Sequence, residues 1–329
     1  MQAMVYRNYG SPDVLQLAEV PRPVPGEGEV LIRVHAASVN AADWRLLTAN
    51  IFLVRLNAGF WRPRRQVLGR DFAGRVEAVG KGVQRFRPGD AVFGTQSHFA
   101  DGAFADYVCV AENLLEHKPG NLSFEEAAAT PLAGITALQG LRDMGGLQRG
   151  QQVLIQGASG GVGTFAVQLA KSFGAEVTAV CSSRNVEMAR RLGADHVLDY
   201  TRENFTTSGK RFDVILAING YHPLQAYRRA LKEKGRYVMV GGSDRQIFEA
   251  LLQGRRLSRK DGQQFGVLTL QPNPADLPYL RQKLEMGEIR PVLDRTYTLS
   301  QLPEAMRSFG EGRTRGKLVI TMHGSLAAD

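Results

Sequence analysis

Residues 152–174 constrain the fold more than any other stretch of this 329-residue chain. Gln152-Val153-Leu154-Ile155-Gln156 reads as a buried strand, and Gly157-Ala158-Ser159-Gly160-Gly161-Val162-Gly163 as a glycine-rich turn that opens a helix. Val162, Phe165, Ala166, Leu169, Ala170 and Phe173 then recur on one helical face, and Gly174 stands where the helix should stop. Glycine at 157, 160 and 163 lets the turn bend sharply, lets backbone approach a ligand and lets the helix lie close to the strand. Free N–H groups at the helix start, from Ser159 to Gly163, then face an anion, most simply the pyrophosphate of a dinucleotide.

Ala158 stands where the usual glycine pattern has its first glycine, so the reading rests on context. A second strand at 176–180, a helix at 186–192 closed by Gly193 and a third strand at 196–200 give the βαβαβ order of a parallel sheet. Strands at 212–217, 235–240 and 263–270 follow, alternating with helices after Pro223 and around 245–252, as a doubly wound nucleotide domain requires.

The first 122 residues are mostly strand and turn, with strands at 2–6 and 15–19 and with Val30, Ile32, Val34 and Ala36 alternating as in a half-buried strand. The alternation stops at Ser38-Val39-Asn40-Ala41-Ala42-Asp43-Trp44-Arg45, which places polar side chains at a strand end, facing a cleft. Residues 51–66, with Phe52, Phe60 and Trp61, show no clear periodicity and read equally as a mobile lid or an ordinary surface excursion. Glycine-bounded strands are expected within 68–80, with further strands at 91–93 and 103–110. Ser123-Phe124-Glu125-Glu126 has capping-box spacing and begins a helix that Thr130-Pro131 interrupts before a second helical run at 134–143. The helix at 275–286, strand at 296–299, helix from about 303 and strand at 317–322 resemble the first part more than the middle. The expected division is therefore 1–122 with 271–329, and 123–270.

Composition narrows the function. Cys109 and Cys181 both read as strand residues and cannot form a disulfide framework or a four-cysteine zinc lobe, and the six histidines show no paired spacing for one helix face. No run approaches ~18 apolar residues and residues 1–6 read as a strand, so no membrane span and a cytoplasmic location are expected. The net charge of +9 draws on short clusters, Arg62, Arg64 and Arg65, then Arg255, Arg256, Arg259 and Lys260. Neither is interleaved with aromatics, so a solvated face or attraction of a polyanionic cofactor explains them better than nucleic acid does.

With Asn40, Gly69-Arg70-Asp71, the Arg87-Pro88-Gly89-Asp90 turn, the glycine loop and Gly316-Lys317-Leu318-Val319-Ile320, the chain resembles the medium-chain dehydrogenases/reductases over nearly its whole length. Within them it is similar to the zinc-independent quinone oxidoreductases, which include the zeta-crystallin-like reductases. The resemblance implies an α/β protein: a Rossmann doubly wound parallel sheet plus a GroES-like, mostly β catalytic domain made from both chain ends. It also implies NADPH in the cleft between the domains and a homodimer. Zinc alcohol dehydrogenases of the superfamily carry cysteine where this chain has Asn40 and Gly-His-Glu where it has Gly69-Arg70-Asp71. Thr130-Pro131-Leu132-Ala133, near the remaining ligand position, again lacks cysteine, so no metal is expected.

The same resemblance implies the site. It makes Asn40 and Asp43 candidate catalytic residues and Arg70 the occupant of a lost ligand position. Their bland roles are holding a turn, for Asn40 and Asp43, and pairing with Asp71, for Arg70. Thr130, Asn219-Gly220 and Gly241-Gly242 match positions beside the nicotinamide, and Tyr200 one beside the ribose phosphate. Ser182, Ser183 and Arg184 end the second strand without a carboxylate, which points to NADPH over NADH. The implied reaction is direct hydride transfer to a small quinone or other conjugated carbonyl, an enone or enal, with the Asn40 amide, Arg70 or the Trp44 indole as hydrogen-bond donors. No histidine or tyrosine stands out as general acid. Several known quinone reductases place tyrosine where this chain has Arg45, so the substrate does not carry over. A non-catalytic NADPH-binding or RNA-associated zeta-crystallin-like role is the alternative from another class; a zinc alcohol dehydrogenase is disfavoured.

Overall fold

The computed structural model describes residues 1–50, 52–97, 100–242, 249 and 262–322. The helix expected around 245–252 lies, except for Glu249, outside the described residues, as does the second basic cluster. The chain forms two compact units, one from Met1–Leu132, Pro274–Gly287 and Pro291–Asp329, the other from Ala133–Asn273 and Glu288–Arg290. Among the described residues no helix is long and apolar enough to cross a membrane.

The first unit is built on a long strand. β1 (Gln2–Tyr6) pairs antiparallel with β2 (Leu15–Glu19), and β3 (Glu29–Ser38) then runs through the sheet centre, with Val30, Ile32, Val34 and Ala36 fully buried. Where the alternation ends, α1 (Ala41–Thr48) begins, and α2 (Phe52–Ala58) follows within the stretch that showed no periodicity. Seven residues are too few for a helical period to stand out from a sequence, which is why α2 was illegible. β4 (Asp71–Val79), β5 (Ala91–Thr95), β6 (Tyr107–Ala111) and β7 (Leu115–His117) complete the antiparallel part, β6 starting four residues later than expected. α3 (Phe124–Ala128) is opened by the Ser123 capping box, Glu126 N–H donating to Ser123 Oγ at 3.2 Å and Ser123 N–H to Glu126 Oε2 at 2.9 Å. Phe124 stacks on His35 of β3, ring centroids 4.2 Å apart.

The second unit begins within α4 (Pro131–Gln139). β8 (Gln152–Gln156), α5 (Gly161–Ser172), β9 (Glu176–Cys181), α6 (Val186–Arg191), β10 (His196–Asp199), β11 (Phe212–Ala217), α7 (Leu224–Ala230), β12 (Leu231–Met239) and β13 (Gln264–Val267) succeed one another. The strands lie in the order β10-β9-β8-β11-β12-β13, every pair parallel. Chain direction across the sheet reverses between β8 and β11, the switch point outside whose carboxyl ends such sheets bind ligands. The central strands β8, β9 and β11 are buried on both faces, which is why they read as continuous apolar runs.

The last elements, α8 (Asp276–Glu285), β14 (Leu293–Thr298), α9 (Leu302–Gly310) and β15 (Lys317–Thr321), return to the first unit. β15 pairs antiparallel with β3, Val319 opposite Ser38, and parallel with β14. The sheet order β14-β15-β3-β4-β5-β7, with β6 also on β3, brings the first residue of β15 beside the last residues of β3 and the start of β4.

Candidate active site

Three strand ends meet around Asn40. β3 ends at Ser38, β4 begins at Asp71 and β15 begins at Lys317, and all three side chains are buried. Asn40 Nδ2 donates to Asp71 Oδ2 at 3.0 Å and to the Ser38 carbonyl at 3.3 Å, while Lys317 Nζ donates to Asn40 Oδ1 at 2.6 Å. Lys317 Nζ also lies 3.6 Å from Asp71 Oδ2, and Asp71 Oδ1 accepts the Leu132 N–H at 3.0 Å. Burial lowers the Lys317 pKa, and the Asp71 and Asp43 carboxylates oppose that shift.

Asp43 is fully buried on α1. Its Oδ2 accepts the Asn40 N–H at 2.9 Å, the returning half of a capping box, and its Oδ1 accepts the Gly69 N–H at 3.0 Å. It therefore ties the start of α1 to the segment leading into β4. Desolvation pushes its pKa up from 3.8 to about 6, against the two backbone N–H groups and the Arg70 guanidinium, which pull it down. The folded state thus holds this proton more tightly than the unfolded chain. The contribution to stability is full below pH ~4 and lost as pH rises through ~6, an effect of roughly 3 kcal/mol at ~1.36 kcal/mol per unit. Comparing unfolding free energies of the wild type and Asp43→Asn across pH 4 to 7 should show this slope only in the wild type; parallel curves would refute it.

The Asn40 amide is turned inward, and both its hydrogens and its oxygen are engaged. Donating to an acceptor, as expected from the resemblance, would cost these buried bonds. Trp44 is also spent on packing: a Cβ added at Gly310 would lie 2.4 Å from its ring, and Phe309 lies beside it at 6.4 Å between centroids. Arg70 is different. Only 8% exposed, it lies in the wall of a cavity of about 430 Å³ in the first unit, together with Asp43, Tyr6, Leu46, Val67 and Gln96. Burial lowers the guanidinium's pKa while Asp43 and Asp71 raise it. Tyr6, the last residue of β1, escaped the sequence reading because nothing local marks a strand tyrosine as facing a cavity. Burial holds its phenol well above the ordinary value, so it stays an O–H donor. Residues 51–66 contribute Ala58, Arg64 and Arg65 to the same wall; Phe60 and Trp61 pack edge-on, 4.9 Å apart and exposed, and the Phe52 side chain lies outside the described residues.

The zinc alcohol dehydrogenases of the superfamily that the chain resembles hold zinc at these positions, and the donors here do not fit that metal. Asn40 and Asp71 already hold an ammonium, Arg70 adds a second cation, and Thr130-Pro131-Leu132-Ala133 offers no thiolate or imidazole. Among the described residues no group of three histidine, cysteine or acidic side chains could hold a metal ion.

The second unit carries most of the residues expected to hold the cofactor. Gly157 leaves β8 with φ +85°, and a Cβ on Gly163 would lie 2.1 Å from the Gly157 carbonyl oxygen. Helix α5 starts at Gly161 with Gly160 as an N-cap that offers no side chain, so the N–H groups of Gly161, Val162 and Gly163 have no side-chain acceptor. Ser159 lies in the turn before them. Ile218 N–H donates to the Gln156 carbonyl and Gly220 N–H to that of Gly241, so the ends of β8, β11 and β12 lie side by side with Asn219, Gly220, Gly241 and Gly242 at their tips. A Cβ on Gly241 would meet the Ile218 carbonyl oxygen at 2.7 Å, so its neighbours alone demand glycine. Thr130, in the first unit, donates its hydroxyl to the Glu126 carbonyl at 3.1 Å.

Ser182, Ser183 and Arg184 do follow β9, but their surroundings are not free of carboxylate. Parallel pairing sets Asp199 of β10 opposite Cys181, and the Ser183 hydroxyl donates to Asp199 Oδ2. That bond, with those from Thr201, holds the Asp199 pKa below the ordinary value, and Arg202 stands 3.6 Å away. Asp199 lies on a neighbouring strand, so reading along β9 alone does not reveal it. Tyr200 is half exposed, its ring 6.1 Å from that of Tyr221. A bare helix N-terminus at a switch point fits a dinucleotide pyrophosphate.

A doubly wound nucleotide-binding unit joined to a β unit made from both chain ends defines a nicotinamide-dependent oxidoreductase of medium-chain type. Residues 26–120 match the alcohol dehydrogenase GroES-like domain and residues 192–320 the zinc-binding dehydrogenase family. The chain is 33% identical to the chloroplast envelope quinone oxidoreductase homolog of Arabidopsis thaliana, covering 97% of this chain and 98% of that one. It is 34% identical to the mitochondrial NAD(P)H oxidoreductase of Mus musculus, covering 98% and 89%. The quinone oxidoreductase structure from Coxiella burnetii superposes with a TM-score of 0.86 at 30% identity, covering 98% and 99%. The chain belongs to the quinone oxidoreductase family of the medium-chain dehydrogenases/reductases.

Proposed function

We propose that this oxidoreductase uses NADPH to reduce a quinone or another conjugated carbonyl without a metal ion. The observation that carries the reading is the cavity shared by Arg70, Tyr6 and Asp43 beside a cluster whose donors suit an ammonium and not zinc. When bound, NADPH supplies a hydride from nicotinamide C4 and becomes NADP⁺; the acceptor gains that hydride and one proton from water, so an enone becomes a saturated ketone and a quinone a hydroquinone. A simple ketone concentrates charge on one oxygen and leans on a Lewis acid. A conjugated acceptor spreads that charge, so hydrogen-bond donors suffice. We place the Arg70 guanidinium and the Tyr6 hydroxyl against its oxygen, with Asn40 and Asp43 holding the turn that shapes the wall.

The expected result of an acceptor panel with NADPH is turnover of quinones and enones, with simple ketones at least about a hundredfold slower, the cost typical of a missing oxyanion partner. Turnover unaffected by chelation is expected; chelator-sensitive activity or preference for simple ketones would overturn the reading, and tight RNA binding without turnover would favour a non-catalytic role. For the cofactor, Ser182 and Arg184 support a 2′-phosphate, whereas Asp199 favours the free ribose hydroxyls of NADH. Arg184→Ala should reduce the NADPH to NADH ratio of kcat/KM about tenfold, the worth of a charge-assisted hydrogen bond. An unchanged ratio would assign the choice to Asp199.

A further inference from the structure

We infer that the acceptor of this cavity carries a carboxylate or similar anionic group, held at the rim by Arg64 and Arg65. The inference rests on the reading of the cavity as the acceptor site. The buried charges cancel in number: Arg70 and Lys317 stand against Asp43 and Asp71. At the rim the balance fails. Arg65 lies 3.6 Å from Asp101, whereas Arg64 makes no ion pair among the described residues, which leaves one positive charge over. The neutral amide in that wall, Gln96, is spent on main chain, its Nε2 donating to the Asp101 carbonyl and to that of Cys109 on β6 and its Oε1 accepting the Ser97 N–H.

The two arginines are presented by a built turn. Gly59 N–H donates to the Arg55 carbonyl at 3.0 Å and Arg64 N–H to the Ala58 carbonyl at 2.8 Å, closing the chain after α2. Gly59 adopts φ +124°, and a Cβ there would lie 2.1 Å from the Arg62 carbonyl oxygen. The turn therefore fixes where the arginine stems leave the backbone. Leu46, Ala58, Val67 and Leu68 supply apolar lining to the cavity that Arg64, Arg65 and Arg70 share. An apolar body ending in an anion matches that combination of surfaces.

Both rim arginines are solvated, so each contact is worth only ~0.2–1 kcal/mol and the pair about two- to thirtyfold in affinity. The probes are a naphthoquinone bearing a propionate side chain and the same quinone bearing the propionamide, whose saturated spacer keeps the rings electronically alike. In parallel, binding of naphthalene-propionate and its amide is measured by calorimetry without cofactor. At an ionic strength of about 0.01 M the acids should be favoured about two- to thirtyfold in kcat/KM and in affinity, and the preference should shrink as salt shortens the screening length. Arg64→Gln with Arg65→Gln should bring both ratios to about one, and Arg64→Glu with Arg65→Glu should invert them. Ratios at or below one in the wild type, or unaltered in the charge-reversed protein, would overturn the inference. If neither quinone is reduced yet naphthalene-propionate still outbinds its amide, the reductase reading fails and the anionic rim stands. If both quinones are reduced equally and both naphthalene probes bind equally, the reductase reading stands and the anionic rim fails.

Discussion

Replacing Lys317 by methionine is expected to lower the unfolding free energy by about 3–5 kcal/mol, the loss typical of breaking one partner from a buried ion pair. The lysine is 3% exposed, its Nζ on Asn40 Oδ1 and 3.6 Å from Asp71 Oδ2. Methionine fills much of the volume and removes the charge. Asp71, with no exposure of its own, would keep only the Asn40 amide, the Leu132 N–H and the Ser38 hydroxyl at 3.5 Å, and the cluster would hold one cation against two carboxylates. Asn40 Oδ1 would lose its donor as well. Because β15 meets β3 and β4 here, the penalty falls where both chain ends of the first unit join. Urea denaturation should show a lower midpoint with an unchanged slope. Combining Lys317→Met with Asp71→Asn should recover at least about 1 kcal/mol of the summed losses, as coupled neighbours do. A loss under about 1 kcal/mol for Lys317→Met, or strict additivity in the double variant, would show that the cluster is not a coupled unit.

In the sequence Lys317 stands out only as part of a C-terminal motif, and its role is instructive about what a sequence displays. The doubly wound sheet was legible because its central strands are buried on both faces and the turn after β8 needs glycine, so the constraint lies within short windows such as 152–163. Asn40 and Asp43 were legible as polar residues at a strand end, and their spacing of three was the unread sign of the capping box that starts α1. What joins Asn40 to Asp71 and Lys317 is strand pairing across 31 and 277 residues, which no local pattern reports. The one available hint was a lysine opening an otherwise apolar strand, since a buried ammonium requires partners. Asp199 was invisible for the same reason: it reaches Ser183 only through the parallel register of β9 and β10.

Adding a single methyl group at Gly163 is expected to weaken binding of the nicotinamide cofactor by about 10- to 100-fold, from an overpacking cost of ~1–3 kcal/mol at ~1.4 kcal/mol per tenfold. The methyl would lie 2.1 Å from the Gly157 carbonyl oxygen and 2.7 Å from the Ala158 backbone. Those neighbours are main chain, so they cannot turn aside as a flexible side chain would. Either α5 moves off β8 or the loop opens, and both displace the N–H groups at the helix start to which we assign the pyrophosphate. Gly160 provides the contrast within the same loop. A Cβ there meets nothing nearer than the Gly157 carbonyl oxygen at 3.8 Å, and its φ of −83° suits any residue. Gly160→Ala should therefore leave unfolding free energy within about 0.5 kcal/mol of the wild type, as substitutions outside tight contacts do. If it nevertheless weakens the cofactor, the methyl must be occupying space that the ligand needs. Titrating NADPH fluorescence against both variants, with denaturation curves alongside, separates helix–strand packing from backbone approach to the ligand. Wild-type affinity in Gly163→Ala would mean that the loop yields at little cost, and the pyrophosphate would have to be placed elsewhere along the switch point.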